Sequence, residues 1–331
     1  MRAELVSAQA QVPAYRLGES AHSMLTSGSH GKVLGATSSA VYLSTHNGDL
    51  FWLAAEDSTM HRRSIQLASP LPRVASGSGF AVVDERLVLG SHFVLDFSRA
   101  SRWDVARPSP EGMLPATQLP ERLFAAFSGL ADLPSPAGFG ILVPRVLKHA
   151  QVRVPSRPIA GPTPALHHAW PAICDVVNAC LEHNFPRLLE DAEKLIGLGE
   201  GLTPSGDDFV GGLLFSLSAL GRVRALASPL EASKLLFFLQ RSKPLTNLIS
   251  HTLLTDHAEG HSFEVLHRFT DALLTGQSLA RIRQLAVRLI RLGHSTGWDL
   301  LTGVVAGMLT ALRIHTASTP YNVRSPSLHP S

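Results

Sequence analysis

Cysteine is nearly absent: Cys174 and Cys180 are the only two in 331 residues. They lie six apart in a segment with helical spacing, which puts them on different faces, too far apart to bridge easily. That excludes a disulfide framework and a four-ligand zinc site, and it fits a reducing compartment. Charge is also sparse. Asp, Glu, Lys and Arg make up 17% of the chain, with 29 basic and 26 acidic residues and a formal net charge of +3. No dense Lys/Arg block accompanies that small excess, so the expectation is no nucleic-acid partner. Aromatic residues are only 6%. No uninterrupted apolar run reaches about 18 residues, so no spanning helix is expected and no membrane partner. The opening MRAELVSAQAQVPAYRLGES lacks the apolar core of a secretory signal, and the cytoplasm is the expected location. What the chain does have is 45% hydrophobic residues, which excludes disorder, a coiled coil and a collagen-like fibre. A globular chain of two ordinary domains or one large one is expected.

The two halves carry different periods. Up to about residue 104 the pattern is short and β-like: AVYLS from Ala40, LFWLA from Leu50, FAVV from Phe80, RLVLG from Arg86 and HFVLDF from His92. Asn47-Gly48 and Asp84-Glu85 supply turns between neighbouring runs. Strands at this spacing predict a small sheet or barrel. Residues 105–165 are rich in proline and read as a linker or wrapping segment, with one short helix near Glu121 to Leu130. From about residue 166 the period becomes helical. Eight helices are expected, over 168–183, 186–196, 208–220, 230–239, 245–254, 262–274, 279–292 and 298–314. The fold class is therefore α+β: a β-rich N-terminal domain (1–104) followed by an all-α domain (166–315). The Ser/Pro-rich residues 316–331 are expected to form a flexible tail.

One constellation recurs within the helical half. Residues 197–212 read GLGEGLTPSGDDFVGG, and residues 292–303 read LGHSTGWDLLTG. With Ser205 set against Thr296, Gly206 meets Gly297, Asp208 meets Asp299 and Gly212 meets Gly303. A Leu-Gly pair precedes each: Leu198-Gly199 and Leu292-Gly293. The shared pattern, [Ser/Thr]-Gly-x-Asp-x-x-x-Gly, describes a duplicated loop-to-helix element. Ser205 with Asp208, and Thr296 with Asp299, have capping-box spacing. Asp208, Gly212, Ser216 and Ala219 form a small-residue stripe, as do Asp299, Gly303, Gly307 and Thr310, and such stripes let helix backbones approach closely. Caps and close packing do not account for the glycine density of the first loop. Glycines before a helix let backbone amides converge on an anion. Asp207 and Asp208 would repel a bare phosphate, which leaves three arrangements: a divalent cation such as Mg2+ between them, a neutralising Arg or Lys, or an amide donor on the ligand. The loop is neither a Walker loop nor a GxGxxG turn after a strand.

A third polar cluster, TNLISHTLLTDHAEGHS from Thr246 to Ser262, places Thr246, Ser250 and His251 on one helical face. His257, Glu259 and His261 do not make the HExxH zinc signature and read as helix-end residues. No Gly-x-Ser-x-Gly elbow occurs, and the two cysteines read as core thiols.

The paired motifs, behind a β-rich part containing Ser101-Arg102-Trp103-Asp104, resemble the AllH-type family, a bacterial family long carried as a domain of unknown function. The resemblance runs from about residue 20 to 312. It implies a subunit of oxamate carbamoyltransferase, found with allantoin-degradation genes, which interconverts oxalurate plus phosphate with oxamate plus carbamoyl phosphate. Other protein subunits and a small phosphate- or carboxylate-bearing substrate are the partners it implies. The usual carbamoyltransferase phosphate motif Ser-Thr-Arg-Thr-Arg is absent. A non-catalytic anion-binding or scaffolding subunit is the competing reading. Carbamoyl transfer needs an anion cradle, a donor to polarise the carbonyl and acceptors for the amide. The residues that suit this chemistry as catalytic candidates are His294, Asp208 and Asp299. Substrate binding falls to Gly199, Gly201, Thr203, Ser205, Gly206 and Asp207 in the first motif, and to Ser295, Thr296 and Gly297 in the second.

Overall fold

The computed structural model describes residues 11–90, 93–130, 132–151, 164–223 and 230–313. The expected tail (316–331) and residues 152–163 of the Pro-rich stretch lie outside these residues.

The first nine strands are β1 (Gln11–Gly18), β2 (His30–Ala36), β3 (Ala40–Thr45), β4 (Leu50–Ala54), β5 (Ser64–Leu67), β6 (Gly79–Val83), β7 (Arg86–Leu89), β8 (Phe93–Asp96) and β9 (Ser101–Trp103). Eight of them run in the order β5-β4-β3-β2-β6-β7-β8-β1 and close into a barrel through a β1–β5 pairing. β9 adds to the far end of β1. Closure removes the free edges that a small sheet would otherwise expose. The barrel is one of the two forms that the β-rich pattern predicted. At Asp84-Glu85 both residues have positive φ (46° and 57°), the conformation of the tight hairpin turn that joins β6 to β7.

Alternation along the strands sorts side chains into two cores. Val41, Leu43, Phe51 and Leu53 fill the barrel interior with Val33, Ile65, Leu87 and Leu95. Ala40, Leu50, Trp52 and Ala54, on the opposite face of β3 and β4, join the core of the helical half. All five residues of β4 are therefore buried, and its sequence is an unbroken apolar run because both of its faces are covered. Arg63, just before β5, adds a polar tie between the two parts. Its Nε and Nη2 donate to Oδ2 and Oδ1 of the fully buried Asp256, at 2.5 and 2.9 Å.

After a short α1 (Glu19–Met24), the helical half begins with α2 (Leu119–Ser128) and α3 (Val143–Gln151). The sequence suggested one helix in this Pro-rich region; the described residues hold two. Met113, Leu123, Phe127, Phe139 and Val146 are buried in the same core as the later helices, so this part of the segment packs rather than merely connecting.

Eight helices follow as expected: α4 (Pro164–Leu181), α5 (Phe185–Glu193), α6 (Ser205–Leu220), α7 (Ala232–Ser242), α8 (Leu248–Ala258), α9 (Glu264–Leu274), α10 (Leu279–Leu289) and α11 (Thr296–Met308). Cys174 and Cys180 are buried in α4 as thiols outside any disulfide. Burial pushes the Cys180 thiol up to about 12, so it stays protonated as a core group. No described helix is long and apolar enough to cross a membrane.

The two glycine stripes meet. A Cβ on Gly303 would run into the Phe209 carbonyl oxygen, and one on Gly212 into the Leu300 carbonyl oxygen. Under the motif alignment Phe209 corresponds to Leu300 and Gly212 to Gly303, so the two contacts are each other's mirror in the duplication. Gly307 lies against Ser216 and Leu213. Facing positions rise together along α6 and α11, so the helices run parallel with their N-termini side by side. Backbone contact this close requires residues without a Cβ.

Candidate functional site

The duplication extends into the loops. Each motif begins where a helix ends in a turn, with Leu198 N–H donating to the Leu195 carbonyl and Leu292 N–H to the Leu289 carbonyl (3.1 and 2.9 Å). Gly199 and Gly293 then both take positive φ (126° and 61°), a region glycine enters without strain. The Gly206 and Gly297 amides turn back to the Leu198 and Leu292 carbonyls (2.8 and 2.9 Å). A Cβ on either would strike a carbonyl oxygen of the preceding helix end, Leu195 or Leu289. These two glycines serve the turn itself, and their amides are occupied.

The capping boxes suggested by the spacing do not form. Pro204 and Ser295 occupy the N-cap positions, and neither helix has a side-chain cap bond. Because the two N-termini abut, the hydroxyls find carboxyls across the interface instead. Thr296 of the second motif lies against Asp208 of the first, and Ser205 of the first against Asp299 of the second. Thr203 and Ser295 complete the two sets, and Thr203 and Thr296 are bonded to each other through their Oγ1 atoms (3.1 Å).

Asp208 and Asp299 are buried, at 4% and 0% exposure, and each keeps one oxygen, Oδ2, without a hydrogen-bond partner among the described residues. Burial pushes the Asp208 carboxyl well above the usual carboxylate range, and the nearby Asp299 charge pushes the same way, against the pull of the Thr296 and Thr203 hydroxyls. Burial likewise raises Asp299 to about 7, although the Phe139 amide and the Ser205 and Ser295 hydroxyls oppose it. Burial therefore favours the protonated form of both carboxyls, and at Asp208 the neighbouring Asp299 charge adds to the effect. Two helix N-termini converge on them, a positive field that draws anions.

Three neighbours of the pair carried no sequence signal strong enough to name them. Phe139 N–H donates to Asp299 Oδ1 (2.6 Å) from a 3-10 turn over Gly138–Leu142. Gly138 has φ of 52°, and a Cβ there would meet both Asp299 oxygens and come within 2.8 Å of the Ser295 Cβ. The Gly-Phe-Gly run at 138–140 was the available clue. Tyr42, on the helix-facing side of β3, is pushed up to about 12 by burial and by the Asp208 charge, so the barrel contributes a wall.

The remaining candidates separate. Asp207 turns away from the pair: its Oδ1 accepts Gly197 N–H (2.5 Å), and its Oδ2 accepts the Ser250 hydroxyl (2.6 Å) and the Thr246 hydroxyl. It is a structural tie between the loop and α8, which also explains why Thr246 and Ser250 share a face. His251 goes elsewhere, to the Leu239 carbonyl (2.8 Å). His294 is exposed and makes no hydrogen bond among the described residues, so no described contact brings it to the pair. Gly199, Gly201 and Thr203 lie in the first loop, where no described backbone carbonyl accepts from the amides of residues 199–203. Gly197, Gly199 and Gly201 all take positive φ, a backbone conformation that glycine adopts without strain.

Asn247 tethers that loop. Its Oδ1 caps α8 by accepting Ser250 N–H (3.1 Å), and its Nδ2 donates to the Leu202 carbonyl (2.9 Å). Asn247→Asp keeps the cap and removes the donor. The expected outcome is a stability change under about 1 kcal/mol with faster amide hydrogen exchange confined to residues 199–203. Unchanged exchange there would show that the tether does not hold the loop.

Among the described residues, no group of three or more His, Cys, Asp or Glu is arranged to hold a metal. Asp208 and Asp299 with their hydroxyls are hard oxygen donors, but two carboxylates fall short of a resident Mg2+ site unless a ligand supplies further oxygens.

Barrel, helical domain and buried carboxyl pair together define a two-part α+β protein with two buried acids at a duplicated helix start. Residues 195–308 match the family model described as "Oxamate carbamoyltransferase subunit AllH". That stretch holds both glycine motifs and every helix between them, and it supports the resemblance read from the motifs. No solved structure matches the chain.

Proposed function

We propose that the chain is a subunit of an oxamate carbamoyltransferase-like assembly and that Asp208 and Asp299 hold the carbamoyl or carboxamide group of its substrate. The observation that carries this reading is the pair of buried carboxyls, each with an oxygen unpartnered among the described residues and each raised above the ordinary carboxylate range, Asp299 to about 7. A –C(=O)NH2 group presents one acceptor and one donor side by side. A carboxyl pair sharing one proton presents the matching donor and acceptor, which neither two carboxylates nor two carboxylic acids can do. The unengaged amides of residues 199–203, at the positive helix ends, suit the phosphate or carboxylate at the other end of the substrate.

In carbamoyl transfer the amide nitrogen of the acceptor bonds to the carbamoyl carbon as the carbon–oxygen bond to phosphate breaks. The phosphate leaves with that electron pair, and the nitrogen gives up one proton. The protonated member of the pair polarises the carbonyl, and the ionised member accepts the proton. The exposed position of His294 favours a second reading, in which this chain only binds the substrate and partner subunits supply the chemistry.

The test is carbamoyl phosphate turnover by the purified chain, alone and with its partner subunits, for wild type and Asp208→Asn. Turnover by the assembly should fall about 100-fold or more in the variant with the melting temperature maintained or raised, because a neutral side chain replaces a desolvated carboxyl. Substrate binding by the chain alone, with turnover only after partners are added, selects the second reading. Full activity of Asp208→Asn in the assembly would overturn the site.

A further inference from the structure

A second site lies between α9, the start of α10 and the segment that leaves the barrel, and shares no residue with the carboxyl pair. A pocket of about 420 Å³ opens there, and Arg107, Arg268, Asp271 and Arg281 line it. Arg268 and Asp271 stand three apart on α9, on one helical face. Arg281 comes from the first turn of α10, where the positive end of that helix adds to its charge. Arg107 comes from the segment that leaves the barrel.

Counting the partners of each charge shows an excess. Asp271 is already engaged by Arg222 (3.3 Å), whose Nη1 is buried with no partner among the described residues. Arg268 pairs with Glu264 (2.6 Å). Among the described residues Arg107 donates to uncharged acceptors, the Gly260 carbonyl (3.0 Å) and His261 Nδ1 (3.3 Å). Arg281 donates to Gln284 Oε1 (2.6 Å). Two arginines thus line one pocket with no carboxylate bound to either among the described residues, and a third, Arg222, is paired with Asp271, the one acid of the pocket lining. The positive field reaches neighbouring histidines. Burial, followed by Arg107 and Arg222, pushes His267 down to about 2, and burial, Arg62 and Arg107 push His261 down to about 4.

We propose that this pocket binds a small, multiply charged oxyanion, phosphate or dicarboxylate in character, gripped by Arg107 and Arg281. Guanidinium forks match the paired oxygens of both groups and bind them through charge-assisted hydrogen bonds. The pocket is open, so the attraction is screened and weakens with salt. It exceeds the volume of a lone phosphate and admits a small metabolite carrying one. The proposal is independent of the carbamoyl reading, which concerns other residues.

Calorimetric titration of the full chain with inorganic phosphate, pyrophosphate and oxalate at low ionic strength tests it. At least one probe should bind, with affinity falling about tenfold or more in Arg107→Gln and in Arg281→Gln, and falling as sodium chloride is added. Arg281→Lys, which retains charge but lacks the fork, should sit between wild type and Arg281→Gln. Arg107 is exposed and Arg281 half-buried, and the melting temperature of each variant confirms folding. Asp208→Asn should leave this binding unchanged. A preference for the phosphates over oxalate would assign the ligand to the phosphate class, and the reverse preference to the carboxylates. No binding by any probe, or binding that survives both glutamine variants, would overturn the proposal. Binding lost in Asp208→Asn but kept in the arginine variants would overturn it too, by placing the anion at the carboxyl pair.

Discussion

Asp299→Asn is expected to make the protein more stable at pH 8 by up to about 4 kcal/mol, and to lose that advantage as the pH falls toward 4. Burial raises the Asp299 carboxyl from 3.8 to about 7 in the folded chain, while the unfolded chain keeps the ordinary value. Below about pH 4 both states hold the proton and the wild type carries no penalty. As pH rises from about 4 to 7, the unfolded state has released a proton that the folded state still binds, so wild-type stability falls. Above about 7 the folded state buries a charge, and the full cost is present. About three pH units at about 1.4 kcal/mol each give the figure of about 4 kcal/mol. Asparagine keeps the Oδ1 that accepts Phe139 N–H and replaces the unpartnered Oδ2 with an NH2 that the Ser205 and Ser295 hydroxyls can accept. Denaturant midpoints of wild type and variant across pH 4 to 8 measure the difference. A gap that stays constant, or that widens toward acid, would show that Asp299 is not a desolvated carboxyl. The same substitution should abolish turnover, since a permanently neutral side chain cannot take up a proton from the substrate. Gained stability with lost activity is the signature of a residue held at the site for its chemistry.

Gly303→Ala is expected to destabilise the protein by about 3 kcal/mol. Helix propensity alone argues the opposite sign, because alanine is better than glycine in a helix interior by about 1 kcal/mol. The added Cβ would run into the Phe209 carbonyl and come within 2.8 Å of the Leu213 amide nitrogen. These are backbone atoms of a buried helix, so no side chain can swing aside. α6 and α11 would have to separate, carrying Asp208 away from Thr296 and Asp299 from Ser205. Gly35→Ala in β2 is the control: a Cβ there meets nothing within 4 Å, and the change should stay within about 0.5 kcal/mol. Urea midpoints of the two variants decide the matter. A Gly303→Ala midpoint equal to that of the control would mean that the helix pair separates at little cost.

Much of this architecture was legible as pattern. Five of the barrel strands announced themselves as alternating or apolar runs, and the eight later helices through their period. β1, β2, β5 and β9 did not. β1 carries Pro13, β2 carries two glycines and a register break between Val33 and Gly35, and β5 and β9 are four and three residues long. Such segments become strands through their partners. β1 exists because Ala14 to Leu17 meet Ile65 to Leu67 across the chain, and no local propensity encodes that pairing. The same limit applies to Gly138 and Tyr42, which reach the site from a turn and from the barrel.

Within the site, the sequence alone determined that a loop-to-helix element occurs twice, that each copy carries a hydroxyl, an acid and a glycine stripe, and that the helices so marked can pack backbone to backbone. It determined that much because the spacing of residues along one helix follows from helical geometry. Only the tertiary structure decided what each residue faces. Asp207 and Asp208 are adjacent in sequence but about 100° apart around α6. One turns toward α8 and is saturated by Gly197, Thr246 and Ser250; the other turns toward α11 and keeps an oxygen free. The hydroxyls that local spacing assigns to caps instead serve the carboxyls of the opposite motif, because two parallel helices bring their N-termini together. Burial by α11, the Gly138 turn and the barrel wall then raises both carboxyls, an effect of surroundings drawn from the whole chain that no local run of residues contains.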